Sequence, residues 1–232
     1  MITNLAMFKS DRPFHAARRV NRSLTAHLEK RALLWIAGHA PRGVNSDQLT
    51  VLGLTAQIGA GVFYTFARFN KYWLLAVVLC LALNWLGDSL DGTLARVRGQ
   101  QRPRYGFYVD HIVDLFGALA LMTGLGASGF LHWQTALAML VAFLLLSGES
   151  YLATYTLGCF ELSQGFFGPT EIRILLICGN IALLRSPNST LLGHTFRLFD
   201  VGGVIAALSM FATAIIVAVR HTTELYLKEP LP

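Results

Sequence analysis

Charged side chains are scarce in this chain of 232 residues: Asp, Glu, Lys and Arg together make up 14%, where a soluble domain carries about a quarter. So few charges cannot cover the surface of a water-soluble domain of this size, which excludes the ordinary soluble classes. Cysteine is nearly absent. Cys80, Cys159 and Cys178 stand in apolar surroundings, with no Cys-x2-Cys pair and no histidine at metal-ligand spacing. A disulfide framework and a structural zinc site are thereby excluded. No short apolar segment ending in a small-residue cleavage site opens the chain, because its first stretch is polar, basic and broken by Pro13. Insertion into a membrane is therefore expected to rely on an internal span. Internal repeats and low-complexity tracts are also lacking.

What remains is apolar. Hydrophobic residues make up 54% of the chain and mean hydropathy is +0.51, the balance of a polytopic membrane protein. Runs long enough to cross a bilayer, about twenty residues each, lie at Leu49–Phe69, Tyr72–Arg96, Gly106–Leu131, Trp133–Gly158, Pro169–Leu184 and Val201–Val219. The fifth is the shortest and carries Arg173 near its start. The expected fold is all-α and integral to the membrane, with six transmembrane helices preceded by an amphipathic interfacial helix. Placing the amino terminus in the cytoplasm leaves only Arg68, Lys71, Arg185 and Arg197, of 19 lysines and arginines, outside. That asymmetry fixes the orientation and puts both ends inside. The formal net charge of +6 is then a topology signal and no sign of nucleic-acid binding. Three regions follow: a basic amino-terminal segment over 1–46, a six-helix domain over 47–220 and a tail over 221–232. Within the first, Phe14–Ala37 mixes basic and apolar residues as a helix on an anionic leaflet would; a topology-setting tail is the plainer alternative. Ser46 or Asp47 is the expected N-cap of the first span.

Against this background four aspartates stand out. Asp88 and Asp91 are three residues apart, and Asp110 and Asp114 four apart, so each pair shares one helix face. A carboxylate in hydrocarbon costs about 2.5–3.5 kcal/mol and persists mainly where cations or water compensate it. Two such pairs facing each other would form an oxygen-rich cage for hard divalent ions. Gly92 and Gly106 sit beside the pairs, where backbone can approach a bulky ligand. Arg96, Arg98, Arg102 and Arg104 surround the same mouth. Metal, glycine and arginine together point to a diphosphate substrate.

The pattern Asp88-x2-Asp91-Gly92-x2-Ala95-Arg96-x9-Gly106-x3-Asp110-x3-Asp114 resembles the signature of the CDP-alcohol phosphotransferase (phosphatidyltransferase) family, and the resemblance covers Asp47 to Val219. It implies transfer between a CDP-linked alcohol and an acceptor hydroxyl, lipid or polar, with release of CMP. By that analogy Asp88, Asp91, Asp110 and Asp114 hold two Mg2+ or Mn2+ ions, and Gly92, Ala95, Arg96 and Gly106 shape the CDP pocket. Asp114 or His111 takes the acceptor proton. The resemblance further implies a homodimer; the expected location is the bacterial inner membrane, and the charge asymmetry puts the four aspartates, and with them the active site, on the cytoplasmic side. His111 directly after Asp110, with Glu149-Ser-Tyr151, resembles the choline and ethanolamine phosphotransferase branch, whose donor is a CDP-headgroup and whose acceptor is diacylglycerol. The reverse direction, phosphatidyl transfer from CDP-diacylglycerol to a polar alcohol, shares the same centre.

Blander readings exist for each residue. The aspartates could be paired with the loop arginines, Arg98, Arg102 and Arg104 could be ordinary inner-loop charge, and Gly92 could be a flexible helix end. His111 and Glu149 could fix helix packing, and Glu171 could favour a helix start. A transporter or channel would also carry buried carboxylates, but nearer mid-membrane and often in repeated halves.

Overall fold

The computed structural model describes residues 18–20, 25–161, 168–191, 193–229 and 231. Their elements run β1 (Arg18–Val20), α1 (Ala26–His39), α2 (Ser46–Ala67), α3 (Trp73–Val97), α4 (Pro103–Ala127), α5 (Trp133–Leu157), β2 (Cys159–Glu161), α6 (Pro169–Arg185), β3 (Asn188–Leu191), β4 (His194–Arg197) and α7 (Leu198–Lys228). Helices α2, α3, α4, α5 and α7 are long and apolar enough to cross a membrane. The fold is all-α and membrane-integral, as its composition requires. Helix α6, the fifth expected span, has 17 residues and reaches about 25 Å at about 1.5 Å per residue, short of a hydrocarbon core of about 30 Å. Helix α7 runs on past Arg220 to Lys228.

The amino-terminal helix is shorter than its sequence pattern suggests. Residues 14–17 and 21–24 lie outside the described residues, and Arg18–Val20 pairs as a parallel strand with Cys159–Glu161, so α1 begins only at Ala26. Backbone pairing with the chain after α5 satisfies amides that a helix would have satisfied internally. Helix α1 buries Leu33 and Ala37 against Leu49, Leu90 and Leu94, which docks it on α3. Leu28, Leu34 and Trp35 remain exposed on it. The N-cap of α2 is Asn45 rather than Ser46 or Asp47. Its side chain accepts from the Gln48 amide at 2.8 Å and its own amide donates to Gln48 at 3.0 Å, a capping box written Asn-x-x-Gln.

Helix α2 is the hub, packed on both α3 and α4, whereas α3 and α4 scarcely touch each other. Glycine makes this possible. A Cβ at Gly87 would lie 2.6 Å from the Leu49 carbonyl oxygen, and one at Gly61 would lie 2.3 Å from that of Ala120. Lipid tails are as apolar as leucine, so close backbone packing holds such helices together better than apolar burial can. Towards one end of the bundle, Tyr64, Leu74, Val77, Leu81, Leu121, Leu125 and Leu183 form the core, with the fully buried Asn180 donating to the Tyr64 hydroxyl at 2.7 Å. Towards the other end, the gap between α3 and α4 opens over α2.

Candidate active site

That gap is a cleft lined by Thr50, Gly53, Leu54 and Gln57 from α2, Asn84 and Asp88 from α3, and Val113 and Asp114 from α4. Asp88 and Asp114 thus face one space from two helices that α2 holds apart. Asp91 is buried one turn further along, where Thr50 donates to its Oδ2 at 2.6 Å and the Gly92 amide donates to its Oδ1. Ser46 donates to its backbone carbonyl at 2.9 Å. Asp110 lies one turn before Asp114 on α4, so all four carboxylates stand on the two helices that flank the cleft.

Asp88 is engaged by Arg173 of α6, whose Nη2 donates to Oδ2 at 2.6 Å. The same guanidinium donates from Nε to Asn84 Oδ1 at 2.7 Å. Asn84 in turn donates to the Gly53 carbonyl at 3.0 Å and to Gln57 Oε1 at 3.3 Å. A Cβ at Gly117 would fall 2.2 Å from that Oε1, so α4 leaves room for the glutamine. The polar chain therefore runs through α2, α3 and α6.

Other expected residues take more varied places. Arg96 is exposed and donates to Thr93 at 2.9 Å. Ala95 lies beside it, half-buried. A Cβ at Gly92 would meet only Arg96 Nη1, at 3.4 Å, and one at Gly106 would meet nothing within 4 Å; neighbouring side chains do not require glycine at either position. Arg98 is spent on structure, donating to the carbonyls of Ala40 at 3.1 Å, Pro41 at 2.9 Å and Val44. Arg102 pairs with Asp47 and lies over the Tyr105 ring. The Asp47 carboxylate raises its already high pKa, mainly through that hydrogen bond. His111 directs Nδ1 at the Phe107 carbonyl, 2.6 Å away. Its ring packs on Phe107 and, edge to face at 5.1 Å, on Tyr151 of α5.

Glu149 lies away from the aspartate cleft's lining and meets His221 of α7 at 2.6 Å. Glu171 is buried and accepts from the Thr25 amide and hydroxyl and from the Gly168 amide, closing the start of α6 onto the chain before α1. Sequence reasoning missed Glu29 of α1, whose Oε1 accepts from Trp85, Ser89 and Thr170 at 2.8–3.0 Å and so ties α1, α3 and α6 together beside Asp88. It also took Arg173 only as a positive charge near a helix start. The signal was present in a weak form, since an arginine in an apolar helix needs a carboxylate and α3 offers one.

The donor chemistry of the quartet fits a hard divalent cation, because every side chain offered is a carboxylate. Among the described residues, however, no three His, Cys, Asp or Glu side chains converge as a ready-made metal cluster; Asp88 is turned onto Arg173 and Asp91 onto Thr50.

Fold and cleft together define a membrane protein with a cleft between helices into which carboxylates of two helices face. The chain belongs to the CDP-alcohol phosphatidyltransferase family, whose profile matches residues 44–220. It is 31% identical over 117 residues to archaetidylinositol phosphate synthase of Pyrococcus horikoshii, across 50% of this chain and 55% of that protein. It is 32% identical over 146 residues to an uncharacterized protein of Aquifex aeolicus, across 60% of this chain and 69% of the other. The chain thus matches little more than half the length of the archaeal synthase.

Proposed function

We propose that the protein is a divalent-metal-dependent enzyme of phospholipid biosynthesis that transfers the substituted phosphate of a CDP-alcohol to an acceptor hydroxyl and releases CMP. The observation that carries this reading is the meeting of Asp88 and Asp114 across one cleft, with Asp91 and Asp110 a turn away on the same two helices. Family membership favours it over a transporter or channel.

In this reading Asp88, Asp91, Asp110 and Asp114 would hold the metal, as Mg2+ or Mn2+. Bound there, it would supply the charge neutralisation that a diphosphate needs for in-line displacement. Thr50 and the Gly92 amide hold the Asp91 carboxylate in place beside the cleft. Gly92, Ala95, Arg96 and Gly106 would form the mouth for the nucleotide, the two glycines leaving open space where backbone can approach it. Asp114 would take the acceptor proton. His111 suits that role less well, with one ring nitrogen on the Phe107 carbonyl and its ring packed against Phe107 and Tyr151.

The direction of transfer draws on two signals. The histidine after Asp110 resembles enzymes that use a CDP-headgroup and diacylglycerol. Likeness to a protein named archaetidylinositol phosphate synthase favours a CDP-linked lipid donor and a polar alcohol acceptor, and the packing role of His111 removes weight from the other side. We adopt the lipid-donor direction. Further parts of the proposal are a cleft facing the cytoplasm, α6 as a short sixth span and assembly as a homodimer.

The test is CMP release by purified protein in detergent, with Mg2+ or Mn2+, across a panel of CDP-alcohols and acceptors. Release that requires metal and a CDP-linked lipid is the expected result. Release only from a CDP-headgroup would reverse the direction, and no release from any donor would remove the enzyme reading.

A further inference from the structure

Arg173 meets the quartet at Asp88, and its attachment there is incomplete. A guanidinium and a carboxylate can clasp each other through two parallel bonds. Here Nη2 alone bonds Asp88, Nε is spent on Asn84, and Nη1 is enclosed with no acceptor among the described residues. Both partners are largely enclosed, with side-chain exposures of 12% and 21%. An enclosed donor left unmade costs free energy, so the pair is not at its best geometry. Asn84, held by Gly53 and Gln57, anchors the guanidinium through Nε independently of the carboxylate. Arg173 therefore stays at the cleft if Asp88 is withdrawn from it.

Four carboxylates brought together without a cation repel one another. The Arg173 guanidinium offsets part of that repulsion, and it does so on a carboxylate that a divalent ion would also use. A monovalent cation fixed by the fold and a divalent ion repel each other at this distance, in an enclosed site where water screens poorly. Only one of them can hold Asp88 fully.

We propose that Arg173 is a built-in counter-cation for Asp88, which occupies that carboxylate until a divalent ion displaces it and thereby weakens the binding of that ion. The inference rests on the metal reading given above. Its consequence is a positioning residue that offsets repulsion among the carboxylates and, held by Asn84, leaves a positive charge within the site when metal binds.

The experiment is direct Mn2+ binding, by electron paramagnetic resonance of the free ion, to full-length protein in detergent without nucleotide. Arg173→Gln should bind Mn2+ about tenfold or more tightly than the native protein, since a competing charge is gone. Arg173→Met, which fills the space with an apolar chain, should do the same and serves if the glutamine variant does not accumulate. Arg173→Lys, which keeps the charge, and Asn84→Ala, which removes the brace, should both stay within about threefold of native affinity. A merely structural arginine would give the opposite ranking, with Asn84→Ala and Arg173→Lys disturbed as much as Arg173→Gln. Equal or weaker Mn2+ binding by the glutamine and methionine variants overturns the inference while leaving the metal reading intact. Absence of Mn2+ binding from native protein and variants alike overturns the metal reading, and this inference with it.

Discussion

Gly61 and Gly124 bring α2 and α4 so close that a Cβ on Gly124 would lie 1.9 Å from the Gly61 carbonyl oxygen. No side chain at Gly124 fits that space, and backbone cannot yield as a flexible side chain can. The contact lies along the same α2–α4 seam that brings Asp114 to the cleft, so it governs where the second aspartate pair stands. Gly124→Ala is expected to cost about 1–3 kcal/mol or more through overpacking. Melting in detergent should fall, and CMP release should fall further than the folded fraction does. An unchanged melting temperature would show that the helices separate without penalty.

Asp91→Ala, Asp110→Ala and Asp114→Ala are each expected to abolish CMP release while the protein still accumulates in the membrane. Membrane-fraction abundance and turnover, measured side by side, decide it. Native turnover by any of the three would remove that residue from the proposed cage.

Thr50 is a quieter component of the site. Its hydroxyl holds Asp91 Oδ2 at 2.6 Å, and a hydrogen bond to a charged group is worth about 1.5–3 kcal/mol. Thr50→Val keeps the shape and removes the donor, so turnover is expected to drop about tenfold to a hundredfold, with Thr50→Ser restoring most of it. Equal losses in the valine and serine variants would mean that shape matters rather than the donor.

His111 offers a choice between chemistry and packing. If the ring serves chiefly to fill the space between Phe107 and Tyr151, His111→Phe should retain most of the CMP release and His111→Ala should lose stability. Loss of turnover in the phenylalanine variant, with melting unchanged, would return the proton-accepting role to the histidine.

Much of this was readable from the residues in order. Scarce charge and long apolar runs required membrane helices, and five of the six expected spans appear as helices long enough to cross. The spacings of Asp88 with Asp91, and of Asp110 with Asp114, fixed which carboxylates share a helix, because a helix repeats every 3.6 residues regardless of its surroundings. Elsewhere local pattern misled. Basic and apolar residues in Phe14–Ala37 read as one helix, yet Arg18–Val20 pairs with a strand that follows α5, a partner well over a hundred residues away. The arginines around the α3–α4 loop read as one cationic mouth for an anion, yet Arg98 is committed to three carbonyls before α2 and Arg102 to Asp47.

The amino-acid sequence by itself determined the membrane-embedded helical class, the family and the grouping of acids on two helices, all of which depend on composition and short-range period. Only the tertiary structure decided that α3 and α4 stand apart over α2, that Thr50 holds Asp91, and that Arg173 reaches Asp88 from a helix far along the chain. Those relationships arise from glycine contacts and enclosed polar bonds between distant segments, and neither leaves a period that can be read along a single strand of residues.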